Sequence, residues 1–392
     1  MSAKVRAFRR LLFAAGSLLV LSAALRQPAS AVPIFAERYG FQCSACHTAL
    51  PELNAFGNAF RRKGFQLPGV PRHREFPLAL RFQETYVKDL QPAQSRRFNA
   101  LGILISTANF GPDRSYSYFA RYLFGSQGAA GSLFYAWVQH VSPSTGVFER
   151  LGLFQLPLIA NPTQRLDTIT VQPVYAYTVG HSAANLATPR LGALFGRRND
   201  RIDAEIAIAG DEYHGAAYGA PAPPSDLQQS FAQPELFGSA TWSLFGDFKA
   251  GVLGLEGARS FRSRTSAAAF GDTYGREGLQ AGWTHGRFDV AAQQLWGHDS
   301  NADGLGNAAS SSGGFLTVKY RPSTHSYIGL RYDAAANPFA TRDIDVYGAL
   351  SPTVHSRLVI EHLEPIGPGR VTPITSAQLL FALPFAEPPK PH

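Results

Sequence analysis

Cysteine occurs only twice in these 392 residues, and methionine only once, at position 1. Charge is scarce too: 16 % of residues are Asp, Glu, Lys or Arg, against about 25 % in an ordinary soluble domain. Long apolar runs are missing after the N-terminus. The longest uncharged stretch, residues 122–148, is broken by Ser126, Gln127, Gly128, Gly131 and Pro143, which excludes a helical membrane span of ~20 residues. An aromatic content of 12 % with a mean hydropathy of -0.10 excludes a disordered chain. The pI near 9.5 is no nucleic-acid footprint. Five of the 36 basic residues lie in the first 31 positions, which leaves 31 basic against 28 acidic side chains beyond them.

Those first residues have the pattern of an export signal. Arg9 and Arg10 lead into an apolar run over residues 11–25, and Ala29-Ser30-Ala31 is the small-residue pattern that a signal peptidase reads. Residues 1–31 are therefore expected to be removed, with the mature chain starting at Val32. In an exported chain an even cysteine count ordinarily suggests a disulfide. Here the pair is too close and too well flanked for that reading.

Both cysteines fall in Cys43-Ser44-Ala45-Cys46-His47, the C-x-x-C-H pattern of covalent c-type haem attachment. Thiols three apart reach the two vinyl groups on one porphyrin edge, and the next histidine presents its imidazole to the iron. A thioredoxin-like pair would need a βαβ surround, and a zinc site would need further ligands at fixed spacing. Cys43, Cys46 and His47 are thus the expected binding residues for one haem c. The lone methionine leaves with the signal, so a second histidine or an open position completes the iron. His73 is the nearest candidate, with His140, His181, His214, His285, His298, His325, His355 and His362 as alternatives.

A short helix is expected after the motif: Pro51 suits a first helical position, Leu53, Phe56 and Phe60 share one face, and Gly64 reads as a stop. A segment of residues 32–75 is too small to bury a porphyrin unaided.

From about Phe76 the apolar period changes to two. In Arg201-Ile202-Asp203-Ala204-Glu205-Ile206 the acids face one side and the isoleucines the other. Leu316, Val318 and Tyr320 alternate with Thr317, Lys319 and Arg321; Ile328, Leu330 and Tyr332 with Arg331 and Asp333; Ile344 and Val346 with Asp343 and Asp345. Sustained alternation between an apolar, aromatic-rich face and a charged face is the pattern of an outer-membrane barrel. Short links at Asn199-Asp200, Gly246-Asp247, Gly286, 322–324 and 351–353 interleave with longer stretches at 211–234, 257–275, 298–313, 334–341 and 364–373. Eleven strands from Arg190 onward and five or six before it, under the even-strand rule, predict an all-β transmembrane antiparallel barrel of about 16 strands over residues 76–386, with a tail at 387–392. Residues 157–170 read equally as loop, inward-folded segment or strand.

The runs VPIFAERYG (32–40) and LNAFGNAFRRKGF (53–65), flanking the haem motif, resemble the fused monohaem cytochrome-porins of the bacterial outer membrane, a family that includes outer-membrane cytochromes of iron-oxidising bacteria. The close match covers residues 33–68; beyond that it is architectural. The resemblance implies that Cys43 and Cys46 hold the haem and His47 ligates it. It also implies that electrons pass from an external reductant, Fe(II) in the best-known members, to a periplasmic cytochrome or other soluble carrier.

The expectation is therefore an electron-conducting protein of the outer membrane, in contact with its lipid, with an iron-oxidase activity in prospect and no nucleophile-base set or phosphate loop for hydrolysis or group transfer. Lumen-facing Asp203, Glu205, Asp343 and Asp345 are candidates for drawing a cation inward. The competing expectations are a solute porin whose haem segment is a plug or sensor, and a periplasmic cytochrome with a water-soluble β domain.

Overall fold

The computed structural model describes residues 33–39, 41, 45–49, 52–62, 64–67, 78–89, 97–111, 114–125, 131–142, 144–159, 168–176, 179–181, 185–212, 227–266, 268–323, 325–336, 340–353, 356–367 and 372–383. The expected signal peptide and the tail at 387–392 lie outside these residues, as do Cys43, His73, His214 and His355.

An N-terminal arm carries helix α1 (Pro33–Tyr39), the two-stranded pair β1 (His47–Ala49) and β2 (Glu52–Leu53), and helix α2 (Ala55–Arg62). Sixteen strands follow: β3 (Leu78–Asp89), β4 (Arg97–Phe110), β5 (Tyr116–Gly125), β6 (Ser132–Val141), β7 (Val147–Phe154), β8 (Arg190–Arg198), β9 (Ile202–Glu212), β10 (Leu227–Phe245), β11 (Phe248–Ser263), β12 (Ala269–His285), β13 (Phe288–Asp299), β14 (Ala309–Ser323), β15 (Ser326–Ala336), β16 (Thr341–Thr353), β17 (Ser356–Pro365) and β18 (Ile374–Leu383). Each pairs antiparallel with its sequence neighbours, and β18 pairs with β3, so the sheet closes into a barrel and keeps no free edge. The expected fold class and strand number are those observed, with eleven strands from Arg190 onward.

The barrel has two unlike ends. At one, seven turns of no more than five residues join the strands, and both barrel termini lie there; at the other stand the long loops, of which residues 155–189 are the longest. The alternation places apolar side chains outward. Leu151, Leu191, Leu236, Leu279 and Leu330 all stand at least half exposed, and Ile206 is 63 % exposed. Such a surface is costly in water and favourable against hydrocarbon. At the turn end it is bordered by paired rings: Phe110 with Tyr116, Phe245 with Phe248 and Phe288 with Tyr320, centroids 5.6, 5.0 and 5.1 Å apart. Aromatic rings at this height are the aromatic girdle of a membrane barrel.

The strands outrun the expected loops. Stretches 257–275 and 298–313, read from their polar and glycine content as loops, are largely the ends of β11 to β14, with loops only at 264–268 and 300–308. Pro234, the last residue of the stretch 211–234 expected as a loop, lies within β10. It falls where the pairing with β11 slips between Gln233 and Leu236, and a bulge tolerates a residue with no N–H to donate.

Candidate functional site

Two segments of the chain fold into the barrel, and they define the site. The first is the arm. On α1, Ile34, Arg38 and Tyr39 are buried against the inner wall. The Arg38 guanidinium donates to the Thr107 carbonyl at 2.8 Å and to the Asn109 amide oxygen at 3.4 Å, and Asn109 in turn donates to the Gly64 carbonyl at 2.7 Å. Thr107 and Asn109 alternate with the outward Phe110 near the end of β4, so the arm lies inside the lumen, just within the turn end.

Gly64 closes α2 with φ +64°, and a Cβ there would stand 3.1 Å from the Val141 side chain on β6, so glycine serves both the left-handed turn and the close approach. The amide of Phe65 reaches back to the Phe60 carbonyl at 2.9 Å. The helix starts later than its Pro51 signal suggests. Residues 52–53 are extended, and Asn54 caps the first turn by accepting from the Gly57 amide at 2.8 Å. A cap-type Asn two residues before Phe56 was the overlooked signal.

Asn54 also ties the C-x-x-C-H segment to this helix. Its backbone amide donates to the Cys46 carbonyl and its side-chain amide to the Ala45 carbonyl, both at 2.9 Å. Cys46 is half-buried, and His47 opens β1. The same arm carries Phe35, Tyr39, Phe41, Phe56, Phe60 and Phe65, linked ring to ring at 4.7 to 6.4 Å, with Phe56 still 40 % exposed. A half-buried thiol at Cys46 on the same small fold as an apolar aromatic shelf fits one of the two anchor points and the apolar surface that a covalently held porphyrin needs, and the second thiol, Cys43, lies outside the described residues.

The second segment is the long loop between β7 and β8, which passes inward. This resolves the three-way reading of residues 157–170 for the part that is described: Thr168, Ile169 and Thr170 meet the far wall. The Glu361 carboxylate on β17 accepts from the amides of Ile169 and Thr170 and from the Thr170 hydroxyl. Arg331 on β15 donates to the Thr168 hydroxyl at 2.8 Å and to the Thr170 hydroxyl at 3.0 Å, while Asp333 (2.6 Å) and Asp345 (3.2 Å) hold its charge. Beyond this clamp lies α3 (Pro173–Ala176), whose fully buried Tyr175 donates to Gln293 on β13 and meets the Phe315 ring at 5.7 Å.

The loop returns to the wall at Arg190. Its guanidinium pairs with Glu235 at 2.5 Å and donates to the carbonyls of Thr188 and Asn185, both at 2.7 Å.

The acids expected to attract a cation are already engaged. Arg198 pairs with Asp203 at 3.1 Å and with Glu205, and Arg331 pairs with Asp345. Asp343 is fully buried beside them. The inward loop covers the acids around Arg331, whereas the Asp203 side chain stays 38 % exposed. Of the alternative distal histidines, His140, His285, His298 and His362 occupy outward-facing strand positions, away from the arm. His181 lies beside Phe270 on the loop side. His325 sits in a turn, where partial burial holds its imidazole below the ordinary value.

No protein-family model and no curated protein matches this chain. Solved structures do. The anion-selective porin from Comamonas acidovorans aligns at 12 % identity over 78 % of this chain and 98 % of its own, with a TM-score of 0.57. OmpF of Salmonella typhi, solved with daunomycin, aligns at 8 % identity over 79 % and 98 %, TM-score 0.52. The outer-membrane channel DcaP of Acinetobacter baumannii aligns at 7 % over 79 % and 96 %, TM-score 0.51. At such identities the likeness establishes the fold, a porin-type barrel.

Proposed function

We propose that this chain spans the bacterial outer membrane as a porin-type barrel, and that its lumenal arm carries one covalent haem c through Cys43 and Cys46, with His47 on the iron, so that the protein moves electrons across the membrane. The observation that carries the haem reading is the C-x-x-C-H motif on a segment packed inside the turn end of the barrel. By the usual polarity of such barrels that end faces the periplasm.

A haem bound there supplies one-electron chemistry. The chain's own residues do the rest. Asn54 fixes the motif against α2, the phenylalanines cover an apolar ring from water, and Arg38 and Asn109 hold the arm to the wall. A soluble periplasmic carrier would meet the arm at the turn end, and an external reductant such as Fe(II) would approach from the loop end. His73 is retained as the proposed second ligand on proximity in sequence alone.

The second reading is a solute porin whose arm is a plug or sensor, and it is the one favoured by the likeness of the barrel to an anion-selective porin and an outer-membrane channel. One preparation separates the two. Purified protein in liposomes is tested for haem by its pyridine haemochrome spectrum, for solute flux by swelling, and for reduction of a trapped acceptor by external Fe(II). Haem with a tight barrel and acceptor reduction supports conduction. Swelling at porin rates without acceptor reduction overturns it in favour of the pore.

A further inference from the structure

One outward row of the barrel carries both a polar pair and two glycines. His140, Glu149, Phe195, Ile206, Gly238 and Gly254 are successive cross-strand partners from β6 to β11. The row climbs as it crosses the tilted strands. His140 is next to last in β6, at the turn end, whereas Gly254 lies six residues past the start of β11 at Phe248, about 20 Å along the strand.

Along this row the outer wall is dented by a groove of about 840 Å³, floored by Gly238, Ala240 and Gly254 and rimmed by Phe195, Ile206 and Val252. A Cβ built on Gly238 or Gly254 would meet nothing within 4 Å. The groove is apolar except at its lower end, where His140 Nδ1 stands 3.4 Å from a Glu149 carboxylate oxygen, with the two side chains 32 % and 55 % exposed. His140 also packs on Tyr116, ring centroids 4.9 Å apart.

We infer that this groove is a binding site for a single zwitterionic phospholipid. The shape is that of an amphiphile: a polar, two-signed contact at the membrane rim and an apolar trough rising toward mid-membrane. His140, when protonated, meets the phosphate and Glu149 meets the headgroup ammonium, so each side chain keeps an opposite charge in reach. A purely anionic lipid answers only His140. One acyl chain lies over Gly238 and Gly254, restoring the dispersion contacts that a void in hydrocarbon forfeits. The inference rests on the barrel spanning a membrane and not on the haem.

The test uses the full chain extracted in mild detergent. Native mass spectrometry counts retained phospholipid, and delipidated protein is then offered dioleoylphosphatidylethanolamine or dioleoylphosphatidylglycerol. The wild type is expected to retain one phospholipid and to prefer the ethanolamine headgroup.

Gly238→Leu with Gly254→Leu fills open space at ordinary backbone angles, so the barrel persists, as heat-modifiable migration checks. Its lipid retention falls about tenfold or more, equivalent to about 1.4 kcal/mol. His140→Gln with Glu149→Gln keeps the trough and erases the headgroup preference. Equal retention by wild type and the leucine variant overturns the site, as does a second copy of the chain cross-linked across the groove with no lipid present. A wild type that does not migrate as a heat-modifiable barrel sinks the membrane reading on which the site depends.

Discussion

Arg38, on the arm, reaches the barrel wall through a backbone carbonyl and an amide oxygen, whereas Arg331, on the wall, reaches the inward loop while gripped by two carboxylates. The two segments share a lumen and are held by different forces. The arm packs its aromatic rings on one another and meets the wall through uncharged acceptors, Thr107 and Asn109, and through the Asn109 bond to Gly64. The loop is held by a charge cluster in which each partner is buried, so the positions that satisfy it are few. The first arrangement tolerates small shifts of the segment, and the second fixes it in place.

The sharpest way to break this contrast is at the motif. With Cys43→Ser and Cys46→Ser together, covalent haem staining on a denaturing gel is expected to vanish while the heat-modifiable barrel remains. Wild-type protein that never stains ends the arm's side of the comparison. Next comes Arg331→Met, which leaves Asp333, Asp345 and Glu361 buried without their cation. A loss of about 3–5 kcal/mol is expected, read as a lower unfolding temperature, together with larger single-channel currents as the loop comes free. An unchanged melting point would show that the clamp is ornamental.

Arg38→Ala should cost about 1–3 kcal/mol and act locally, exposing the arm to protease while the barrel's unfolding temperature holds. Uniform destabilisation would mean that arm and barrel are one unit. The smallest effect is expected at Gly64→Ala, about 1–2 kcal/mol from the left-handed backbone, visible as faster cleavage after Arg62 or Lys63.

How much of this was legible in the chain follows from the range of the interactions. Alternation at residues 201–206 and 341–347 is a local pattern, and it yielded strand identity, facing and, with the turn spacing, the number of strands. The fate of residues 168–170 depends on Glu361 and Arg331, more than 160 positions away, and no local period encodes that. The arm's place in the lumen likewise hangs on Asn109 meeting Gly64 across 45 positions. Glycine and charge in the outer stretches suggested loops because, beyond the hydrocarbon, a paired strand needs no apolar face. Cys46 and His47 were conspicuous by spacing alone, while the cap at Asn54 that steadies them was passed over for Pro51.

The seam between β18 and β3 joins the last strand to the first. Ile374 pairs with Asp89 and Leu383 with Leu80, which makes this the hydrogen-bonded ladder with the greatest chain separation in the molecule. Loop-closure entropy makes such a ladder the costliest to form. The arm precedes β3 in the chain, so the strand to which it is tethered is the one on which the last strand must zip to seal the wall.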